Sequence, residues 1–214
     1  CRDMKMSLEW QLSALEKSKS FRADIPNFLE PWYGIGVVSS AFGIPYIWHD
    51  GQAPAVEAPF KKASEALDHI QSSIEESPVG KHILSMIEYF LEKTQGKIPI
   101  SICDTQSPLN IISSYIMDLA SFSFEMYDNP DDITKLMDVI VKLESDFINK
   151  QEDLIGDALA RPGHGFASSR VFDGLGFSDD NILFLNDEAY LEFALDPLCK
   201  AGKSSGAPVF HSCG

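Results

Sequence analysis

Three helix starts of one design set the rhythm of this chain. Ser77-Pro78, Ser107-Pro108 and Asn129-Pro130 each place a side-chain acceptor immediately before a proline. The acceptor caps free N–H groups of the first turn, and proline at the first helical position loses no needed donor. Asp131 and Asp132 add negative charge where the helix dipole favours it. Apolar residues then recur at helical spacing. Ile83, Leu84, Met86, Ile87, Phe90 and Leu91 lead to a stop at Gly96, while Ile111, Ile112, Tyr115, Ile116, Leu119 and Phe122 predict a single helix to about residue 127. A third apolar face runs from Ile133 to Leu154. Further helices are predicted over 4–19, 62–74, 186–193 and 197–203, with a helical turn over 37–42.

Between the helices lie β-type runs. Residues 97–103, 166–172 and 207–213 read as strands, 24–31 as a short extended segment, and 52–59 as a proline-bearing connector. Strand, polar loop, helix and strand in repetition imply an α/β fold with a parallel sheet. The strands ending near Cys103, Asp173 and His211 are therefore expected to lie parallel, with the helices that start at Ser77, Ser107 and Asn129 outside them.

Chemistry in such folds sits just past the C-terminal ends of the strands. The first strand runs into Asp104-Thr105-Gln106, and 166–172 runs into a stretch holding Gly174, Gly176, Asp179 and Asp180. The last strand delivers His211 and Cys213. Residues two apart on a strand point to one face, and imidazole with thiolate is a ligand pair that zinc accepts. Gly214 would let the backbone turn just past them. Trp32, Tyr33 and His49 flank a glycine-bearing loop and are candidates to line a pocket, while His69 and His164 read as loop or solvated histidines. Each candidate has a plain structural alternative: a core histidine and cysteine closing a strand, aromatics packed beneath a loop, an aspartate pair capping a helix.

Composition narrows the classes. A net charge of -15 without a basic stripe argues against nucleic acid or an anionic membrane as partner. A hydrophobic content of 44% excludes disorder, and no apolar run approaches the roughly 20 residues that span a bilayer. The four cysteines, Cys1, Cys103, Cys199 and Cys213, are sparse and irregular, which suits a reducing cytoplasm better than a disulfide framework. The chain opens on cysteine and stops just after the candidate ligand pair, so it is expected to be a piece of a longer protein.

Phe177-Ser178-Asp179-Asp180-Asn181, then Asn186-Asp187-Glu188-Ala189-Tyr190-Leu191-Glu192-Phe193, and finally Pro208-Val209-Phe210-His211-Ser212-Cys213-Gly214 resemble the uroporphyrinogen decarboxylase superfamily. That superfamily includes the methylcobamide:coenzyme M methyltransferases. The similarity runs from about residue 26 to 214 and is most specific from the aspartates to His-x-Cys-Gly. It implies a (β/α)8 TIM barrel, of which 1–214 would form one partial domain holding roughly the first five strands. The decarboxylases carry an arginine-rich segment near the first strand, whereas 31–36 here contains no arginine, which places the chain closer to the methyltransferase branch. The resemblance then implies a cytoplasmic, zinc-dependent methyltransferase that moves a methyl group from a methylated corrinoid protein to a small thiol. His211 and Cys213 would bind the metal with one further ligand beyond residue 214, and Asp179 and Asp180 would be catalytic. Asp104, Gln106, Trp32 and Tyr33 would bind substrate, and Cys103 would replace the missing ligand only if it faced the same rim. A metal-independent tetrapyrrole decarboxylase and a non-catalytic binding homologue are the alternatives.

Overall fold

The computed structural model describes residues 2–22 and 26–213. Cys1, Asp24, Ile25 and Gly214, with the turn expected at Gly214, lie outside the described residues. The fold is mixed α/β. Helix α1 (Met4–Ser18) is capped by Asp3, which accepts from the Met6 N–H. A 3-10 turn over Val38–Phe42 follows, then α2 (Ala63–Asp68), shorter than its apolar pattern suggests. The N–H groups of Gln71 and Ser72 both donate to Ala41 O, at 2.9 and 3.3 Å, and this pulls the backbone out of helical geometry.

The three proline-marked starts hold. Ser77 caps α3 (Pro78–Thr94), its hydroxyl accepting from Gly80 N at 3.0 Å, and the helix closes on left-handed Gln95 and Gly96. Ser107 caps α4 (Pro108–Asn110), which widens into a π turn over Ile111–Ile116. The single helix expected from here to residue 127 is two. Met117 turns extended to pair with Phe60, and Asp118 caps a new helix, α5 (Leu119–Asp128). Asn129 opens α6 (Pro130–Ile155), whose face of Ile133, Leu136, Met137, Ile140, Phe147 and Ile148 is buried. Burying one such side chain contributes about 1.5–3 kcal/mol, so this helix anchors the helical layer.

Strand β1 (Leu175–Ser178), α7 (Asp187–Tyr190), α8 (Asp196–Gly202) and β2 (Pro208–His211) complete the order. The two strands are parallel, with Ser178 beside His211. Three further segments join by single parallel bridges: Leu29 with Ile100, Ile100 with Leu159, and Gln106 with Ser178. Residues 208–211 pair in parallel as expected, whereas 97–103, expected as a strand, takes part only through the single bridges at Ile100.

The strand expected over 166–172 is not. Ser169 pairs antiparallel with Arg161, Ser168 Oγ accepts from Gly163 N at 2.9 Å, and Val171 is 83% exposed. The true strand lies within what reads as the following loop. Gly176 explains the exchange: a Cβ there would meet the Phe166 ring at 2.5 Å, so the aromatic run folds across the strand instead of pairing in the sheet. Among the described residues no helix is long and apolar enough to cross a membrane.

Ser107 ties this frame together, since its N–H donates to Ser178 O at 2.8 Å while its hydroxyl caps α4. Ser107→Ala is expected to lower the unfolding free energy by about 1 kcal/mol, within the usual 0.5–2 for a lost cap, measured by urea denaturation.

Candidate metal centre and strand-end polar network

Parallel register brings the ends of β1 and β2 together. Asp179 N donates to His211 O at 2.8 Å, and Cys213 N donates to Asp180 Oδ1 at 2.8 Å. His211 Nε2 lies 3.4 Å from Cys213 Sγ. One ligand atom from each of Asp180, His211 and Cys213 falls within 4.8 Å of the others. Tetrahedral zinc with bonds of about 2.0–2.3 Å sets its ligand atoms about 3.3–3.7 Å apart, so this nitrogen, sulfur and oxygen set has to close by up to about 1 Å around an ion. His211 and Cys213 are exposed and free to make it. Without a metal, the charge of Asp180 and the hydrogen bond to it push the Cys213 thiol up, and a bound cation would reverse that balance.

Asp179 does not join the group. It is wholly buried, with neither carboxylate oxygen in a well-formed hydrogen bond among the described residues. Burial pushes it up to about 6 against the opposing influence of the Ser107 hydroxyl. Cys103 is also buried, and its N–H donates to Gln151 Oε1 on α6 at 2.9 Å. Burial raises its thiol far above the ordinary range, and Cys103 lies outside the convergent group of Asp180, His211 and Cys213.

Asp104 and Gln106 form a second centre. Asp104 Oδ2 accepts from Trp32 Nε1 at 3.2 Å, and Asp104 Oδ1 accepts from Gln106 Nε2 at 2.7 Å. His164 lies between two carboxylates, with Nδ1 at 2.5 Å from Glu30 Oε1 and Nε2 at 3.6 Å from Asp104 Oδ2. Hydrogen bonding to Glu30, with the charges of Glu30 and Asp104, overcomes partial burial and lifts His164 to about 9. From Gln106 Oε1 the chain of bonds continues through Asn110 Nδ2 at 3.2 Å, and Asn110 Oδ1 accepts from Asn181 N at 2.9 Å. The network thus ends one residue from Asp180. Tyr33 is placed elsewhere, stacked on His82 at 4.0 Å and packed against Tyr46 and Trp48 at 5.7 and 5.5 Å. His49 is exposed.

Glu30 and His164 are the members that motif reading passes over. The signal for Glu30 is the one used for Asp104: an acid directly after the last paired residue of a strand, here Leu29. His164 carries no comparable signal, because its loop is placed only by the Arg161–Ser169 pairing.

Residues 3–160 match the sequence model described as Uroporphyrinogen decarboxylase (URO-D). No curated protein sequence matches the chain. Among solved structures, a methyltransferase from Methanosarcina mazei superposes with a TM-score of 0.72 at 16% sequence identity. The match covers 100% of this chain and 57% of that one, so the chain spans little more than half the length of that protein. At this identity the likeness speaks for the fold alone.

The His164 clamp makes stability depend on pH. A folded-state value raised from about 6.5 to about 9 contributes stability that is complete below about pH 6.5 and lost as pH rises through about 9. Glu30→Gln is expected to drop the His164 titration midpoint toward 6.5 and to flatten the stability profile across that window. Imidazole proton NMR and urea melts at both ends of the window measure the two effects.

Proposed function

The chain belongs to the uroporphyrinogen decarboxylase family, and on that footing we propose that it forms part of a (β/α)8-barrel methyltransferase. In this reading Asp180, His211 and Cys213 hold a zinc ion, and a methyl group passes from a methylated corrinoid protein to a small thiol. The convergence of one nitrogen, one sulfur and one oxygen ligand within 4.8 Å carries the reading. The fold shared with a methyltransferase supports it.

Free thiols, with a pKa of about 8.5, are mostly protonated at neutral pH, and zinc when bound supplies the thiolate without a strong base. The chain's own residues do the rest. His211 and Cys213 bind from one strand end, and Asp180 takes a third position while its Oδ1 fixes the Cys213 backbone. Held by these three residues, zinc would supply Lewis-acid activation of a substrate sulfur. A third ligand was expected beyond residue 214, but Asp180 offers one from within the described residues. Asp104 and Gln106, held by Trp32 and Asn110, orient the polar tail of the thiol. Asp179 acts through its neighbours, its N–H holding the backbone of His211. Tyr33, with Tyr46 and Trp48, lines a separate aromatic pocket and takes no part in this reading.

The decarboxylase alternative calls for substrate-binding arginine near the first strand segment, where 31–36 has none, and it requires no metal. Metal analysis of protein purified without chelator separates the two. Wild type is expected to carry zinc, and Cys213→Ser to lose it by about 10–100-fold in affinity, with methyl transfer to a thiol lost in parallel. Cys199→Ser, an exposed cysteine outside the group, should change neither. Zinc-free wild type, or a Cys213→Ser variant with unchanged metal content, would overturn the proposal.

A further inference from the structure

Behind the strand ends, α6 turns a carboxyl toward the sheet. Glu144 is 3% exposed, and its Oε2 has no hydrogen-bond partner among the described residues. Burial, with the charge of Asp104 second, raises it well above the usual carboxylate range and so favours the neutral acid, which has one O–H to donate. A buried polar group left without a partner costs on the order of 1–3 kcal/mol or more.

Glu144 lines a cavity whose other polar walls are Cys103, Asp104, Thr105, Gln106 and Gln151. About 10 Å³ there is open to the centre of a water molecule. One water needs about 10–15 Å³ by this measure, so an organic ligand is excluded and a single water fits. Most of the polar wall is already committed. Gln151 accepts from Cys103 N and donates to Phe147 O, the Thr105 hydroxyl donates to Gly176 O, and Gln106 spans Asp104 and Asn110. Asp104 has acceptor capacity to spare, because each carboxylate oxygen takes two bonds and Oδ1 receives one, from Gln106.

We infer that this cavity holds one ordered water that passes a hydrogen bond from the Glu144 acid to the Asp104 carboxylate. Glu144 is then a positioning residue. It holds Asp104 from behind while Trp32, Gln106 and His164 hold it from the front. The inference rests on the placement of Asp104 and is independent of the metal reading.

Infrared difference spectroscopy on the intact protein tests it. Wild type should show the C=O band of a protonated, hydrogen-bonded carboxylic acid, and Glu144→Gln should remove that band. Asp104→Asn, which weakens the acceptor across the water, should move the Glu144 band toward the frequency of a free acid. A merely structural glutamate would lose stability on substitution but would show no coupling to Asp104. Absence of the band in wild type would mean an ionised Glu144 and would overturn the inference. A band unmoved by Asp104→Asn would do the same. Should Asp104→Asn fail to fold, a high-resolution structure of wild type decides: density for one water within hydrogen-bond reach of both carboxyls supports the link, and an empty cavity refutes it.

Discussion

Parallel pairing on both sides of Ile100 is the constraint on which the rest of this structure depends. Ile100 is fully buried and bridges Leu29 on one side and Leu159 on the other, its N–H donating to Ala158 O at 2.8 Å. Gln106 carries the same direction to Ser178, and β1 to β2. Because every one of these pairings is parallel, the residues that follow each segment emerge at one end. Glu30, Asp104, Asp180 and Cys213 come from four parts of the chain, yet the direction of the strands sends them all that way, and the loop held by the antiparallel Arg161–Ser169 pair adds His164.

Neighbours just past the strand segments then fall into different environments. Cys103 is committed to the helix side, against Gln151, while Asp104 meets Trp32 and His164. Asp179 is buried without a well-formed bond, while Asp180 reaches His211 and Cys213. One step along the chain separates a sealed group from one open to chemistry: β1 ends at Ser178, and Asp180 opens the 3-10 turn Asp180–Phe184. The electrostatics follow the same division. Buried acids such as Glu144 and Asp179 are pushed toward the neutral form, and the His164 imidazolium is stabilised where two carboxylates flank it. An acidic chain can thus crowd carboxyls at its strand ends without crowding full charges.

The helices were largely legible in the sequence because their starts are chemical. Ser77, Ser107, Asn129 and Asn186 stand at the N-terminal boundaries that composition predicts. The break at Met117 was not legible, because it depends on a tertiary bridge to Phe60 while the local apolar spacing favours a continuous helix. The misplaced strand has a similar cause: 166–172 has strand-like composition, yet Gly176 makes Leu175–Ser178 the segment that can be overlaid by Phe166. At the candidate site, His211 with Cys213 was readable from spacing, and Asp180 from its place after a strand. That Asp180 joins them is set by the register of Ser178 with His211, which no local pattern encodes. The family match covers 3–160, the part of the chain whose motifs are looser, while the His-x-Cys end lies outside it.

If the ends of β1 and β2 build one metal site, X-ray absorption at the zinc edge of zinc-loaded protein will show a single sulfur scatterer at about 2.3 Å with nitrogen and oxygen at about 2.0–2.2 Å, the signature of Cys213, His211 and Asp180. A first shell without sulfur, or one unchanged by Asp180→Ala and Cys213→Ser alike, would contradict it.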